Sequence, residues 1–375
     1  MMVIICIVIT LAYLFLIGSF VYGFDKTKTF KAKDTLARIP FSVIIPFRNE
    51  ANNLSKLLES LHALNYPTNL FEVILVNDAS EDNSVEIIQS LSENSLTDIR
   101  IIENQRHSNS PKKDAITSAI YKAQNDWIIT TDADCVLPQN WLKTFDAFIQ
   151  ETNTLCVAAP VTYHLENSFL NRFQWLDLMS LQGATIGGFG LKTPFLCNGA
   201  NFAYKKSLFF ELSGFIGNSN IASGDDLFLL EKATQKHPNN VHYLKSEDAI
   251  VKTNAQPNWK SLVSQRVRWA AKTTAYKNGF GKLTGILVFL MNFMVVLALI
   301  LSLLNLFNLK VFGCILTIKC SIDFYLIFKT TRFLNQQYAL KSYLTGFIVY
   351  PFFSVYIALV SIMSDYSWKG RAFKK

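Results

Sequence analysis

Asp132-Ala133-Asp134 is the most chemically informative stretch of this 375-residue chain. The two carboxylates stand at i and i+2, where the apolar run Trp127-Ile-Ile-Thr-Thr131 ends, so they can converge on one hard divalent cation. Mg²⁺ commonly takes one or two protein carboxylates and fills its shell with substrate phosphates, which lets it neutralise a departing diphosphate. A solvated turn can carry the same three residues; their position at the end of a fourth strand is what favours the cation. Asp225-Asp226 opens a predicted helix bearing Leu227, Leu229, Leu230 and Ala233. Two acids there can stabilise a helix N-terminus, or one can take a hydroxyl proton as a general base. Lys112 and Lys113 start another predicted helix and offer compact cations suited to phosphate or to plain solvent. Gln265, Arg268 and Trp269 stand at i, i+3 and i+4, on one helix face.

The elements that must position these residues alternate. Residues 41–46, 71–77, 100–103 and 127–131 are short β-branched runs that read as strands. Between them, 51–64, 82–92 and 112–124 place apolar residues at helical spacing. That rhythm predicts an α/β fold with a parallel sheet and crossover helices, whose ligands bind beyond the carboxyl ends of the strands. The polar residues collect at those ends: Arg48, Asn49 and Glu50 after the first strand, Asn77 and Asp78 after the second, Asp132 and Asp134 after the fourth. No phosphate-binding Gly-rich fingerprint follows the first strand, and the glycines at 187, 188 and 190 read as a flexible loop.

Only 17% of the chain is charged, against about 25% in ordinary soluble domains, which argues for membrane segments and excludes a disordered chain. Residues 2–23 form an uncharged apolar run that reads as an uncleaved anchor. Three further apolar stretches, 283–307, 311–328 and 344–363, follow; the second contains Lys319 and Asp323, four apart and able to pair. The basic residues Lys26, Lys28, Lys31, Lys33 and Arg38 after the anchor place the following domain in the cytoplasm. Three full C-terminal crossings would then put the basic tail (Lys369, Arg371, Lys374, Lys375) outside, against the same rule. Residues 39–282 carry 22 basic against 24 acidic residues, so the formal +8 is a membrane-orientation signal and nucleic acid is excluded as a partner. Six cysteines without a CxxC pair indicate neither a zinc site nor a disulfide framework. The expected organisation is an anchor (1–24), a basic linker (25–38), a cytoplasmic catalytic domain (39–257), an interface helix (258–282), a membrane region (283–364) and a basic tail (365–375). The interface helix would lie at the bilayer surface, with Trp259, Leu262 and Val263 set against Lys260, Arg266 and Lys272.

The chain resembles an inverting family 2 glycosyltransferase with the GT-A nucleotide-sugar fold. The resemblance lies in Val43–Glu50, Val76–Ser80, Lys112–Ala115, Asp132–Asp134, Asn198–Tyr204, Gly224–Asp226 and Gln265–Trp269, in the family's order across residues 41–269. The tail Trp368-Lys-Gly-Arg371 is similar to the end of some ceramide glucosyltransferase-like members. The resemblance implies that Pro46, Arg48 and Glu50 border the nucleoside and that Asp78 accepts from a base N–H, typically of uracil. It places Asp132 near ribose and metal and makes Asp134 the metal ligand. Lys112 or Lys113 would approach the diphosphate, Lys113 matching the family's single lysine better. Asp226 would be the base with Asp225 in support, although Asp225 stands where the family usually has Glu. Asn198 and Gly199 would lie near the donor sugar. Gln265, Arg268 and Trp269 would serve the diphosphate and the acceptor. The implied cofactor is Mg²⁺ or Mn²⁺, the donor a UDP-linked sugar, and the acceptor a lipid or lipid-linked glycan at the plasma (inner) membrane. A processive polysaccharide synthase of the same family and a catalytically silent membrane scaffold are the alternatives.

Overall fold

The computed structural model describes residues 2–33, 35–93, 95–164, 166–219, 221, 223–271, 277–363, 366–368 and 371–373. Lys272, Lys369, Lys374 and Lys375, invoked above for the interface helix and the tail, lie outside them. In chain order the elements are α1 (Met2–Lys26), β1 (Phe41–Phe47), α2 (Ala51–His62), β2 (Phe71–Asn77), α3 (Ser84–Ser92), β3 (Asp98–Glu103), α4 (Pro111–Lys122) and β4 (Trp127–Thr130). Then come α5 (Trp141–Glu151), β5 (Cys156–Ala158), β6 (Val161–Tyr163), α6 (Phe169–Gly190), β7 (Phe202–Lys205), α7 (Lys206–Glu211), α8 (Asp225–Lys236), β8 (Val241–Tyr243) and β9 (Val251–Thr253). The chain continues with α9 (Trp259–Ala271), α10 (Gly279–Leu303), α11 (Leu309–Phe333), α12 (Tyr343–Met363), β10 (Tyr366–Trp368) and β11 (Arg371–Phe373). Two compact units result: Lys28–His164 with Leu196–Asn254, and Met1–Thr27 with Leu165–Phe195 and Ala255–Lys375.

The first unit is built on a seven-stranded sheet of order β3-β2-β1-β4-β7-β5-β8. β1 pairs in parallel with both β2 and β4, and β2 with β3. β7 runs antiparallel to β4 and to β5, so the sheet is mixed rather than purely parallel as expected. β1, β2 and β4 are apolar and buried along almost their whole length, as central strands covered on both faces must be. α2 turns Leu54, Leu57, Leu58 and Leu61 into the core, and α4 turns in Ala115, Ile116, Ala119 and Ile120. Pro111 occupies the first turn of α4, where its missing N–H has no intrahelical partner to lose. Because the chain leaves β1 towards β2 on one side and reaches β4 on the other, the order reverses at β1. A crevice therefore opens beyond the carboxyl ends of β1 and β4.

The second unit is helical. α1, α10, α11 and the span Gln337–Met363 are each long and apolar enough to cross a membrane, as expected for an integral membrane protein. Their outward residues are apolar too, among them Val8, Phe15, Ile286, Leu303, Ile348 and Met363. Lys319 and Asp323 do pair, at 2.6 Å, and Tyr13 of α1 donates to the same carboxylate at 2.7 Å. α6 was not foreseen. Residues 165–195 fell within the expected catalytic domain, but they group with the helices instead. The glycines at 187, 188 and 190 are not a flexible loop; they form the last turn of α6. A Cβ on Gly187 would stand 2.6 Å from the Phe20 carbonyl oxygen of α1, and one on Gly23 would run into the Gly187 carbonyl oxygen. Small residues let two helix backbones meet this closely, the usual packing device within lipid.

Gly187→Val is therefore expected to destabilise the purified protein by about 1–3 kcal/mol or more, the cost of overpacking a close contact. Thermal unfolding in detergent checks this. Gly285→Ala, where nothing lies within 4 Å of the added Cβ, is the neutral control.

Candidate active site

The loops after β1 and β2 are laced together by their own polar residues. Asn49 and Ala79 both adopt left-handed backbone, with φ of 53° and 56°. Asn tolerates this conformation, whereas Ala pays roughly 1–2 kcal/mol for it. The Asn49 side chain accepts from the Glu81 N–H at 2.8 Å, the Glu50 N–H donates to Ser84 Oγ at 2.9 Å, and the Ala51 N–H donates to Asp82 at 3.0 Å. Arg48 donates to the Asp78 carbonyl at 3.0 Å and pairs with Glu81 at 2.8 Å. Asp78 is buried, and its Oδ1 accepts from Asn104 at 2.7 Å and from Arg106 at 3.4 Å. Asn104 and Arg106 were missed in the sequence. They follow β3 directly, so the strand-end rule applied to the third strand would have found them.

Beyond the end of β4, Asp134 feels the charges of Asp132 and of Glu50. Asp134 is pushed up to about 6 by burial first, then by Asp132 and Glu50, with the Thr253 hydroxyl opposing. Lys112 reaches this cluster. Its Nζ donates to Asp132 Oδ1 at 2.6 Å and stands 3.4 Å from Asp225 Oδ2. Burial works against that ammonium, but Asp132, Asp225 and Asp226 outweigh it, so its pKa lies above the ordinary lysine value. Lys113, the lysine favoured from the sequence, points elsewhere. It is buried, donates to the Asn218 and Ile221 carbonyls at 2.7 and 2.9 Å, and lies over the Phe228 ring. Neighbouring positions on a helix point about 100° apart, so only one of two adjacent lysines can face the cluster.

Asp225 and Asp226 begin α8 immediately after Gly224, which has φ of 84°. Asp226 Oδ2 accepts the Gly199 N–H at 2.8 Å, and its Oδ1 accepts the Leu227 N–H at 2.7 Å. The turn that presents Gly199 is fixed on several sides. The Ala200 N–H donates to Asn198 Oδ1 at 3.0 Å, and Thr130 donates to the Gly199 carbonyl at 2.7 Å. Asn201, wholly buried, donates to the Pro160 and Ala249 carbonyls and accepts from Trp141 Nε1. A Cβ on Gly199 would stand 3.0 Å from Asp225 Oδ2, so glycine suits the close approach. Thr130, Phe202, Tyr204, Asp225 and Asp226 line one small cleft. Asp132, Asp225, Asp226, Lys112 and the Asn198-Gly199 turn are thus brought together in the α/β unit.

Gln265, Arg268 and Trp269 lie on α9, in the helical unit. Arg266 on the same helix donates through Nε to Asp177 of α6 at 2.6 Å, and its guanidinium lies over the Trp269 ring.

Two expectations follow. Asp134 is held above its unfolded value, so the cation-free fold gains stability as pH falls through about 6 towards about 4. Asp134→Asn should therefore raise the unfolding temperature at pH 7.5 in chelator and lose that advantage by pH 4.5. Asn201→Ala leaves an indole N–H and two carbonyls unpaired and should cost at least about 1–3 kcal/mol. Thermal or urea unfolding checks both.

Residues 42–213 match the family model for glycosyl transferase family 2. Over 264 residues the chain is 26% identical to the probable glycosyltransferase YdaM of Bacillus subtilis, covering 66% of this chain and 60% of that protein. Over 174 residues it is 25% identical to the poly-beta-1,6-N-acetyl-D-glucosamine synthase of Staphylococcus epidermidis, covering 45% and 41%. The chain thus spans less than two thirds of either relative's length. The mannosyltransferase PcManGT from Pyrobaculum calidifontis, solved with GDP-Man and Mn²⁺, superposes with a TM-score of 0.57 at 14% identity. That match covers 97% of this chain and 98% of that one, and it shows a shared fold. The mixed sheet and strand-end crevice are those of the GT-A fold, and the match to glycosyl transferase family 2 spans residues 42–213 of that unit.

Proposed function

We propose that this chain transfers a sugar from a nucleotide-diphosphate sugar, UDP-linked, to a hydroxyl of a lipid or lipid-linked glycan, with inversion at the anomeric carbon. The observation that carries this reading is the acid cluster of the α/β unit. Asp132 and Asp134 close β4, and Asp226 is held at the start of α8 by the Gly199 N–H at 2.8 Å.

The residues at β4 fit a divalent cation. Asp134 is raised by burial first and then by Asp132 and Glu50, so a cation beside it would relieve both. Among the described residues no group of three or more His, Cys, Asp or Glu could hold a metal ion, so substrate oxygens would complete the shell. Asp134, with Asp132, would hold Mg²⁺ or Mn²⁺, which when bound neutralises charge on the departing diphosphate. Pro46, Arg48 and Glu50 border the nucleoside, and Asp78, fixed by Asn104 and Arg106, accepts from the base.

Asp226 takes the acceptor hydroxyl proton on a carboxylate oxygen. Its two oxygens accept the Gly199 and Leu227 N–H groups, which fix the carboxylate's orientation. The acceptor oxygen attacks the anomeric carbon opposite the diphosphate. The C–O bond to phosphate breaks, its electron pair leaves on the diphosphate, and the configuration inverts. Asp225 supports the site by pairing with Lys112, and Asn198 and Gly199 set the wall beside the donor sugar.

The basic stretch 26–38 supports a cytoplasmic catalytic side at the plasma (inner) membrane, where a lipid acceptor is at hand. A processive synthase is the second reading, favoured by the similarity to the poly-beta-1,6-N-acetyl-D-glucosamine synthase. Incubating membranes from expressing cells with a panel of radiolabelled nucleotide sugars separates the two. A lipid-extractable labelled product is expected, whereas a retained high-mass polymer would favour the synthase. Asp226→Asn should lower turnover by about 10²–10⁴-fold, the usual worth of a general base, while nucleotide binding persists. Full activity in that variant would remove Asp226 from the role.

A further inference from the structure

Lys112 has a place in this site that phosphate binding alone does not explain. Its ammonium is engaged with Asp132 Oδ1 at 2.6 Å and lies 3.4 Å from Asp225 Oδ2. It thus joins a carboxylate at the end of β4 to one at the start of α8. Its side chain is only 20% exposed, and a Cβ on Gly199 would come within 3.5 Å of its Nζ, so walls of the site confine it. Asp132 is one of the two carboxylates argued above to face a divalent cation. A cation arriving alone would therefore compete with a positive charge already seated on one of its two ligands. Nor would it find a third acidic or imidazole ligand among the described residues. A cation arriving with a nucleotide diphosphate meets a different situation, because the diphosphate supplies oxygen ligands and gives the ammonium another anion to face.

We propose that Lys112 is a built-in counter-ion. It occupies Asp132 while the site is empty and makes divalent-cation binding conditional on the nucleotide diphosphate. The proposal rests on the glycosyl-transfer reading for the identity of the ligands. Lys112 is here a positioning residue: it acts through Asp132 and Asp225, and its seat on the carboxylates holds β4's end and α8's start together until the ligands arrive. Binding linkage makes the consequence reciprocal, since the factor by which UDP tightens Mn²⁺ must equal the factor by which Mn²⁺ tightens UDP.

The test uses the full chain in detergent and follows free Mn²⁺ by electron paramagnetic resonance, with and without UDP. In the wild type, UDP should tighten Mn²⁺ binding strongly. Lys112→Met should tighten Mn²⁺ binding in the absence of UDP by about tenfold or more, because a nearby like charge is removed. The UDP-dependent factor should shrink accordingly. Lys112→Arg, which keeps the charge, should restore the wild-type pattern, a result that loss of packing alone would not give. Equal Mn²⁺ affinities of wild type and Lys112→Met without UDP would overturn the counter-ion role while leaving the glycosyl-transfer reading intact. The wild type is a test by itself, because Mn²⁺ binding that is tight and indifferent to UDP would also overturn the role. If UDP binds but Mn²⁺ binds neither protein even then, the cation assignment under the proposed function fails, and the counter-ion role fails with it.

Discussion

Like charge gathered at the end of one buried strand is the constraint around which the α/β unit is arranged. Asp132 and Asp134 close β4, Glu50 adds to the same field, and Asp225 and Asp226 come in from α8. A group of carboxylates that burial has partly stripped of water is costly unless cations or N–H donors answer it. The protein answers with the Lys112 ammonium and with backbone N–H groups, among them Gly199 and Leu227 for Asp226, and with the first turn of α8 for both acids. Asp134 is nonetheless raised, by burial first and then by Asp132 and Glu50. A divalent ion carried by a phosphorylated ligand, as proposed above, would add positive charge beside Asp132 and Asp134.

Much of the architecture serves to hold those groups in place. The sheet order reverses at β1 and opens the crevice there. Asn201, buried between Trp141 and two carbonyls, fixes the turn whose Gly199 N–H meets Asp226. Lys113 spends its charge on the Asn218 and Ile221 carbonyls, in the segment that leads to α8. Adjacent lysines thus divide two tasks, one electrostatic and one structural.

Which of these features could be read from the sequence follows from how local their causes are. The strands and helices of residues 41–130 were legible because β-branched runs and 3.6-residue spacing are local signals, and the polar residues at strand ends marked the crevice. The partners of those residues were not legible. Whether Lys112 or Lys113 faces the acids depends on the rotation of α4 against the sheet, and the clamp on Asn201 depends on segments 41 to 60 residues away. α6 was invisible for a different reason. Its sequence is apolar on most faces with weak periodicity, and Gly187 and Gly190, which suggest a loop, are there because α1 lies against them. In the helical unit, the pairing of Lys319 with Asp323 was readable from the four-residue spacing, but Tyr13 on α1 was not.

The central claim is that this carboxylate cluster exists to take a divalent cation together with a nucleotide diphosphate. An anomalous difference map from crystals of the full chain grown with UDP and Mn²⁺ tests it most directly. The expected result is a manganese peak in contact with Asp134 and Lys112 displaced from Asp132 towards a phosphate oxygen. Well-ordered UDP with no manganese at Asp134, or manganese bound elsewhere with Lys112 still on Asp132, would contradict it.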